Sequence, residues 1–192
     1  MLILGSHLTG TPVMGLQTGT ELAKTAAPLI DPANLKIAAY TLEGQLLSEH
    51  PTFIRTDDIR EFGDIGMIID SSDELIGLHD VIKIEELYNL GFNLISMPVV
   101  DELKHKLGKI EDYSVDSSSF IVQQLNIKRG AIKSITETAL LIHRSQIIEI
   151  NDKNIIVKSG AKKIEPVMQA ERRTYVNPFR QASPQPDTTD AN

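Results

Sequence analysis

The sequence contains no cysteine and no tryptophan, and aromatic residues make up only 5% of it. Without cysteine, a disulfide scaffold, a thiolate metal site and a cysteine nucleophile are all excluded. Five histidines could still bind a metal, but no two of them stand three or four residues apart, the spacing that places two ligands on one helical face. We therefore expect no metal site and no bound cofactor.

The chain also lacks any apolar run near the roughly 18 residues that a membrane-spanning helix needs. Its apolar start, Met1 to Leu4, is much shorter than the core of a signal peptide. Apolar residues nevertheless form 41% of the 192 residues, which is enough for one medium domain or two small ones. We therefore expect a globular cytoplasmic protein.

The sequence does contain an internal repeat. Matching residues stand 85 positions apart in the first part of each copy and 88 positions apart further on, because one loop differs by three residues. Upstream, Pro12 to Met14 match Pro98 to Val100 at an offset of 86. Matches at 85 include Leu22 and Leu107, Asp31 and Asp116, Leu35 and Phe120, Ile37 and Val122, and Leu42 and Ile127. Two copies of one unit are the simplest explanation.

Each copy has the pattern of short β-strands separated by turns such as DPAN at Asp31 and DSSS at Asp116. In the strands that follow these turns, apolar residues alternate, slip by one position and then alternate again. The slip falls at Ala38-Ala39 in the first copy and at Gln123-Gln124 in the second. A β-bulge produces this slip, and bulges are how small barrels turn their corners. The sequence therefore predicts a mainly β fold of two small barrels in tandem.

A helix is predicted between the copies, at about residues 80–90, because Val81, Ile84, Leu87 and Tyr88 follow helical spacing. Asp80 is its expected N-cap, and Gly91 its expected C-terminal glycine. The predicted domains are a first barrel with this closing helix (1–91), a second barrel (92–160) and a C-terminal extension (161–192). We expect the extension to be largely disordered, since its last part has little to bury.

The strings GMIIDSS from Gly66, LGKIEDYSVD from Leu107 and LLIHRSQIIEINDKNIIVKSG from Leu140 resemble the PRC-barrel family. That family includes the cytoplasmic domain of the reaction-centre H subunit and the C-terminal domain of the ribosome-maturation factor RimM. The resemblance implies small β-barrels that dock other proteins. A reaction-centre H subunit would carry a membrane helix before its barrel, and RimM an RNA-facing domain before a single barrel, whereas here a second barrel is expected in that space. The first copy also has ELAKTA from Glu21 where the second has KLGKIE from Lys106.

Candidate catalytic groups are few. His143, beside Arg144 and Ser145, is more typical of an ordinary strand residue than of a catalyst. A catalytic site needs several reactive groups in a suitable mutual geometry, and one residue of a suitable type does not show this. Four carboxylates, Asp57, Asp58, Glu61 and Asp64, lack the ligand order and central glycine of a calcium loop, so a solvated hairpin is favoured. We therefore predict no catalytic residues and no enzyme.

A basic group is the stronger candidate for a functional site. Residues 1–88 carry 5 basic and 14 acidic side chains, whereas residues 89–161 carry 9 and 8. In this second part Lys128, Arg129 and Lys133, with Arg144, form a predicted patch for an acidic partner or for structured RNA. Two other interpretations remain open: the acidic first barrel docks on this face, or the residues form a solvated loop.

The predicted function is a non-enzymatic cytoplasmic scaffold or adaptor that binds a protein partner through its barrel surfaces. The alternative is an RNA-processing or ribosome-maturation factor similar to RimM. The overall acidic balance disfavours nonspecific nucleic-acid binding, whose affinity comes mostly from phosphate contacts.

Overall fold

The computed structural model describes residues 1–128 and 140–158, and in this part the protein is mainly β, as the sequence predicts. One α-helix, α1 (Ile82–Leu90), accompanies the strands. The strands are β1 (Leu2–Leu4), β2 (Pro12–Gly15), β3 (Thr20–Asp31), β4 (Lys36–Glu43), β5 (Thr52–Arg55), β6 (Glu61–Gly63), β7 (Gly66–Ile69), β8 (Leu75–Gly77), β9 (Pro98–Asp101), β10 (Lys106–Asp116), β11 (Ile121–Lys128), β12 (Leu140–His143), β13 (Ile147–Ile150) and β14 (Ile155–Val157).

The pairing of the strands repeats in the two copies. β2 pairs with β3 and, in parallel, with β7, while β9 pairs with β10 and, in parallel, with β14. The parallel registers correspond: Val13 lies opposite Met67, and Val99 lies opposite Ile155. These pairs match at the offsets of 86 and 88 read from the sequence, so the repeated residues occupy equivalent places in the sheet.

Both predicted bulges are present. Between β3 and β4 the register shifts so that Ala38 is the extra residue, and between β10 and β11 the extra residue is Gln123. The shift lets Ile37 and Tyr40, which are three positions apart, both point into the same buried cluster. Equivalent strands therefore bend at equivalent points, because a bulge increases the local twist of a strand.

Equivalent residues also share an uncommon backbone conformation. Left-handed φ angles occur in three matched pairs: Gly10 with Ser96, Gly19 with Lys104, and Leu35 with Phe120. The hydrogen bonds around the first pair correspond as well, because the Gly10 amide donates to the Thr25 carbonyl and the Ser96 amide to the Ile110 carbonyl. The repeat thus extends from side-chain pattern to backbone geometry.

The sheet is open. Its longest path runs β13-β14-β9-β10-β11-β4-β3-β2-β7-β6, with β1 added to β10, β12 to β11, and β5 and β8 beyond β4. Among the described residues this path does not close on itself, and hydrogen bonds between β4 and β11 join both copies into one sheet. Two separate closed barrels therefore stay a prediction.

The two copies share one large apolar core. A single cluster of buried side chains includes Ile37 and Tyr40 of the first copy with Val122 and Leu125 of the second. Across the boundary, the rings of Tyr40 and Phe120 pack edge to face with centroids 6.5 Å apart. The contact places apolar burial, the main stabilising contribution in folding, at the junction between the copies.

The helix is confirmed, but its predicted N-cap is wrong. Val81 stands at the N-cap position, while the Asp80 carboxylate accepts a hydrogen bond from the Gly77 amide at 2.7 Å. Asp80 is thus used to close the turn between β8 and α1. Gly91 ends the helix with φ 61°, the left-handed conformation that glycine adopts without strain. Ile84 and Leu87 pack in a second, smaller cluster on Leu29, Ala39 and Phe53.

One strand crosses the predicted domain boundary. β1 lies within residues 1–91, yet it pairs with β10, and Ile3 stands opposite Val115. The predicted extension at 161–192 lies outside the described residues. In the described part of the chain, no helix is long and apolar enough to cross a membrane.

Candidate interaction surface

The predicted basic group is only partly within the described residues. Arg129 and Lys133 lie outside them. Lys128 is the last residue of β11, and Arg144 begins a short 3-10 turn directly after β12. Because β12 runs antiparallel to β11, with Gln124 opposite His143, Arg144 lies near the start of β11 and Lys128 at its end. About five strand residues, roughly 16 Å, therefore separate them.

Arg144 makes a contact between the two copies. Its guanidinium donates a hydrogen bond to the Asn34 carbonyl in the turn between β3 and β4, at 3.0 Å. The matching residue of the first copy, Thr56, instead donates from its hydroxyl to the Ile37 carbonyl within its own copy. For Arg144 the contact agrees with internal docking, one of the interpretations that the sequence left open.

Lys128 lies beside another lysine that sequence reasoning missed. In the β10–β11 ladder, Lys109 stands directly opposite Lys128, and both side chains are exposed. Directly opposed like charges are destabilising in a sheet, so the pair concentrates positive charge at a small cost in stability. Glu111 accepts a hydrogen bond from the Lys128 ammonium at 3.0 Å and offsets part of that charge. The alternation along β10 could have shown that Lys109 is exposed, but the partner of Lys109 depends on the register of the two strands.

Half of the predicted carboxylate cluster is ion-paired within the protein. Asp58 accepts two hydrogen bonds from the Arg55 guanidinium, at 2.6 and 2.7 Å, and this carboxylate raises the pKa of Arg55. Asp57 accepts a hydrogen bond from the Lys36 ammonium at 2.5 Å. Glu61 and Asp64 remain exposed to solvent. Two of the four carboxylates thus bind side chains of the protein itself.

His143 caps the turn that carries Arg144. Its Nδ1 accepts a hydrogen bond from the Ser145 amide at 3.2 Å, and its own amide donates to the Gln146 side chain at 3.0 Å. This reciprocal arrangement is a capping box, which satisfies amides that the turn leaves without partners. The imidazole therefore positions the turn.

The carboxylate of Asp116, the last residue of β10, accepts several hydrogen bonds. Asp116 accepts bonds from the hydroxyls of Ser119 at 2.7 Å and Ser118 at 2.8 Å, and from the terminal ammonium of Met1 at 3.2 Å. These donors hold the pKa of the Asp116 carboxyl well below its usual range. Its match in the first copy, Asp31, pairs with the ammonium of Lys83 in α1 at 3.2 Å. Asp116 of the second copy thus holds the chain segment before the first copy, and Asp31 of the first copy holds the helix before the second copy.

Two buried tyrosines lie in the shared core. Burial raises the pKa of Tyr40 far above its usual value, and the nearby Tyr113 adds to the shift. Burial, followed by the charge of Asp112, raises the pKa of Tyr113 to about 12. Burial therefore favours the neutral form of both hydroxyls.

Within residues 1–128 and 140–158, no group of three or more histidine, aspartate or glutamate side chains is placed to hold a metal ion. No family model matches the chain, and no curated protein is significantly similar to it. The resemblance to PRC barrels therefore rests on the sequence strings alone.

Proposed function

We propose that the protein is a non-enzymatic cytoplasmic scaffold or adaptor, built from two PRC-barrel-like units, that binds an acidic protein partner. The proposed binding surface is the basic end of the β10–β11 hairpin, formed by Lys109 and Lys128 with the following Arg129 and Lys133. Arg144 is assigned to the junction between the copies instead, because it bonds to Asn34 and lies at the far end of β11.

The observation that carries this proposal is the direct opposition of Lys109 and Lys128 on exposed strand positions. Two like charges directly opposed across a ladder do not stabilise the fold, although Glu111 offsets part of the Lys128 charge. An acidic partner would gain from both, since complementary charge speeds association and excludes partners of the wrong sign. Because residues 1–88 carry an excess of acidic side chains, the proposed basic surface is confined to the second copy.

The test replaces Lys109, Lys128, Arg129 and Lys133 with Glu in the full chain. The matched control replaces the exposed Lys153 and Lys158 of the same copy. Both proteins should keep the wild-type circular dichroism spectrum, because exposed charges contribute at most about 1 kcal/mol each. The affinity of the first variant for partners captured from the native host should be at least tenfold lower than that of the wild-type chain. The affinity of the control should be unchanged. Equal capture by both variants would contradict the proposal.

The same preparations separate a protein partner from RNA. Total cellular RNA is titrated against the wild-type chain in a series of salt concentrations. Binding to RNA would weaken steeply as salt rises, since each neutralised phosphate releases counterions. We expect no saturable RNA binding at physiological salt, and RNA binding that is lost with the four basic residues would instead support the ribosome-maturation alternative.

A further inference from the structure

The outer edge of β12 differs from the matching edge in the first copy. In the first copy, β5 pairs with β4 on one side and β8 on the other, and Phe53 stands opposite Ile76. β12, the equivalent of β5, pairs with β11. No other strand among residues 1–128 and 140–158 pairs with β12. Since an open edge invites pairing with any available strand, native proteins usually cover it.

The side chains at this edge also differ in burial. Phe53 is completely buried beneath β8 and α1, where Tyr88 packs edge to face on its ring with centroids 5.5 Å apart. The matching residue at the offset of 88, Leu141, is only half-buried by the described residues. The second copy therefore offers both an unpaired strand edge and an incompletely covered apolar side chain at the same place.

The sequence continues the repeat beyond the described residues. Five residues separate β7 from β8, and the same spacing after β14 leads to Lys163, Ile164 and Glu165. At the offset of 88, Ser71 matches Ser159 and Ile76 matches Ile164. The chain that leaves β14 also lies close to β12. The Lys158 amide donates to the carbonyl of Gln146, in the turn just after β12, at 2.8 Å.

We propose that residues 163–165 dock on the outer edge of β12 as the counterpart of β8. The strand lies antiparallel, with Ile164 opposite Leu141 as Ile76 lies opposite Phe53. The docking supplies main-chain hydrogen bonds to the open edge and covers Leu141. It goes beyond the proposed function, because it is a contact within the chain at a surface other than the basic hairpin end.

Cysteine cross-linking tests this contact directly, since the natural chain contains no cysteine. Leu141→Cys is combined with Ile164→Cys, and in a second protein with Ala182→Cys. Glu149→Cys with Ile156→Cys is the positive control, because these residues lie opposite each other in β13 and β14 and neither is buried. Under mild oxidation the 141–164 pair should form at least ten times more intramolecular disulfide than the 141–182 pair. Equal yields, or disulfide-linked dimers that place the segment on a second copy, would overturn the proposal.

Hydrogen exchange gives a second measurement that needs no cysteine. The β12 amides that do not bond to β11 are followed in the wild-type chain, in Ile164→Pro and in the control Ala182→Pro. Proline is disfavoured inside a paired strand, so Ile164→Pro should displace the docking segment and remove the carbonyls to which these amides donate. The amides should then exchange at least tenfold faster in Ile164→Pro and at the wild-type rate in Ala182→Pro. Rapid exchange in all three proteins would also overturn the proposal.

Discussion

Lys36 lies directly opposite Ile121 in the antiparallel contact that joins β4 to β11, and the two residues occupy the same position in the two copies. The flanking hydrogen bonds also join matched residues: the Ile37 amide donates to the Phe120 carbonyl at 2.8 Å, and the Val122 amide donates to the Leu35 carbonyl at 2.9 Å. Ile37 matches Val122 and Leu35 matches Phe120 in the repeat, so the two bonds are equivalent. The copies thus meet about a local two-fold axis, as two subunits meet in an isologous dimer. Because the two related halves share a sheet and an apolar core, we expect them to unfold as one cooperative unit.

Left-handed residues in the second copy give a stability prediction. Ser96 and Lys104 have φ angles of 68° and 66°, whereas their matches in the first copy are Gly10 and Gly19. A left-handed conformation costs a non-glycine residue about 1–2 kcal/mol, partly offset by the greater flexibility of glycine in the unfolded chain. Ser96→Gly and Lys104→Gly should therefore each raise the free energy of unfolding by about 0.5–1 kcal/mol in urea titrations.

The controls for that prediction are Gly10→Ala and Gly19→Ala. An added Cβ would meet no atom within 4 Å at either position, so backbone conformation alone decides the effect. Both variants should be destabilised. A stability change of the same sign in all four proteins would contradict the equivalence of these turns.

Gly66 gives a prediction about close packing at the start of β7. Its φ is 119°, and an added Cβ would press on the Pro12 carbonyl oxygen at the start of β2. Gly66→Ala should lower the free energy of unfolding by more than about 1 kcal/mol, because both the backbone conformation and the contact disfavour a side chain. Gly63→Ala is the control, since its Cβ would meet no atom within 4 Å, and it should change the stability by less than about 0.5 kcal/mol. Equal thermal denaturation of both variants would refute this explanation.

Asp116 gives a pH prediction. Its pKa is lowered in the folded protein, chiefly by Ser119, so its contribution to stability is complete above the ordinary aspartate pKa of about 3.9. That contribution is lost as the pH falls through the lower pKa of the folded state. Ser119→Ala should raise the pKa of Asp116 in an NMR titration and make stability less dependent on acid pH. Ser117→Ala, which removes a neighbouring hydroxyl, should leave the titration unchanged.

The sequence predicted those features of the fold that follow from local pattern. The apolar alternation located both bulges, at Ala38 and Gln123, because side-chain period reverses wherever a residue is inserted. Helical spacing and Gly91 located α1. The pairing of β1 with β10 and of β4 with β11 could not be read, because neither contact leaves a periodic signal in the chain.

For the candidate site, the sequence located Lys128 but not its neighbour. Lys109 is 19 positions away and comes opposite Lys128 only through the register of β10 and β11, which includes two bulges. Arg144 was grouped with Lys128 by charge, yet the antiparallel course of β12 carries it to the other end of the ladder. Grouping by sequence composition therefore could not distinguish a surface residue from one that joins the copies.

Native-state hydrogen exchange on Ile37→Ala tests most directly whether the two copies form one cooperative unit. Ile37 is completely buried beside the Lys36–Ile121 contact, and its truncation should cost about 2–5 kcal/mol. If the copies unfold together, the slowest amides of β10 and β11 should exchange roughly 30-fold faster or more, by the same factor as those of β3 and β4. Acceleration confined to β3 and β4, with β10 and β11 unchanged, would show that the copies unfold independently.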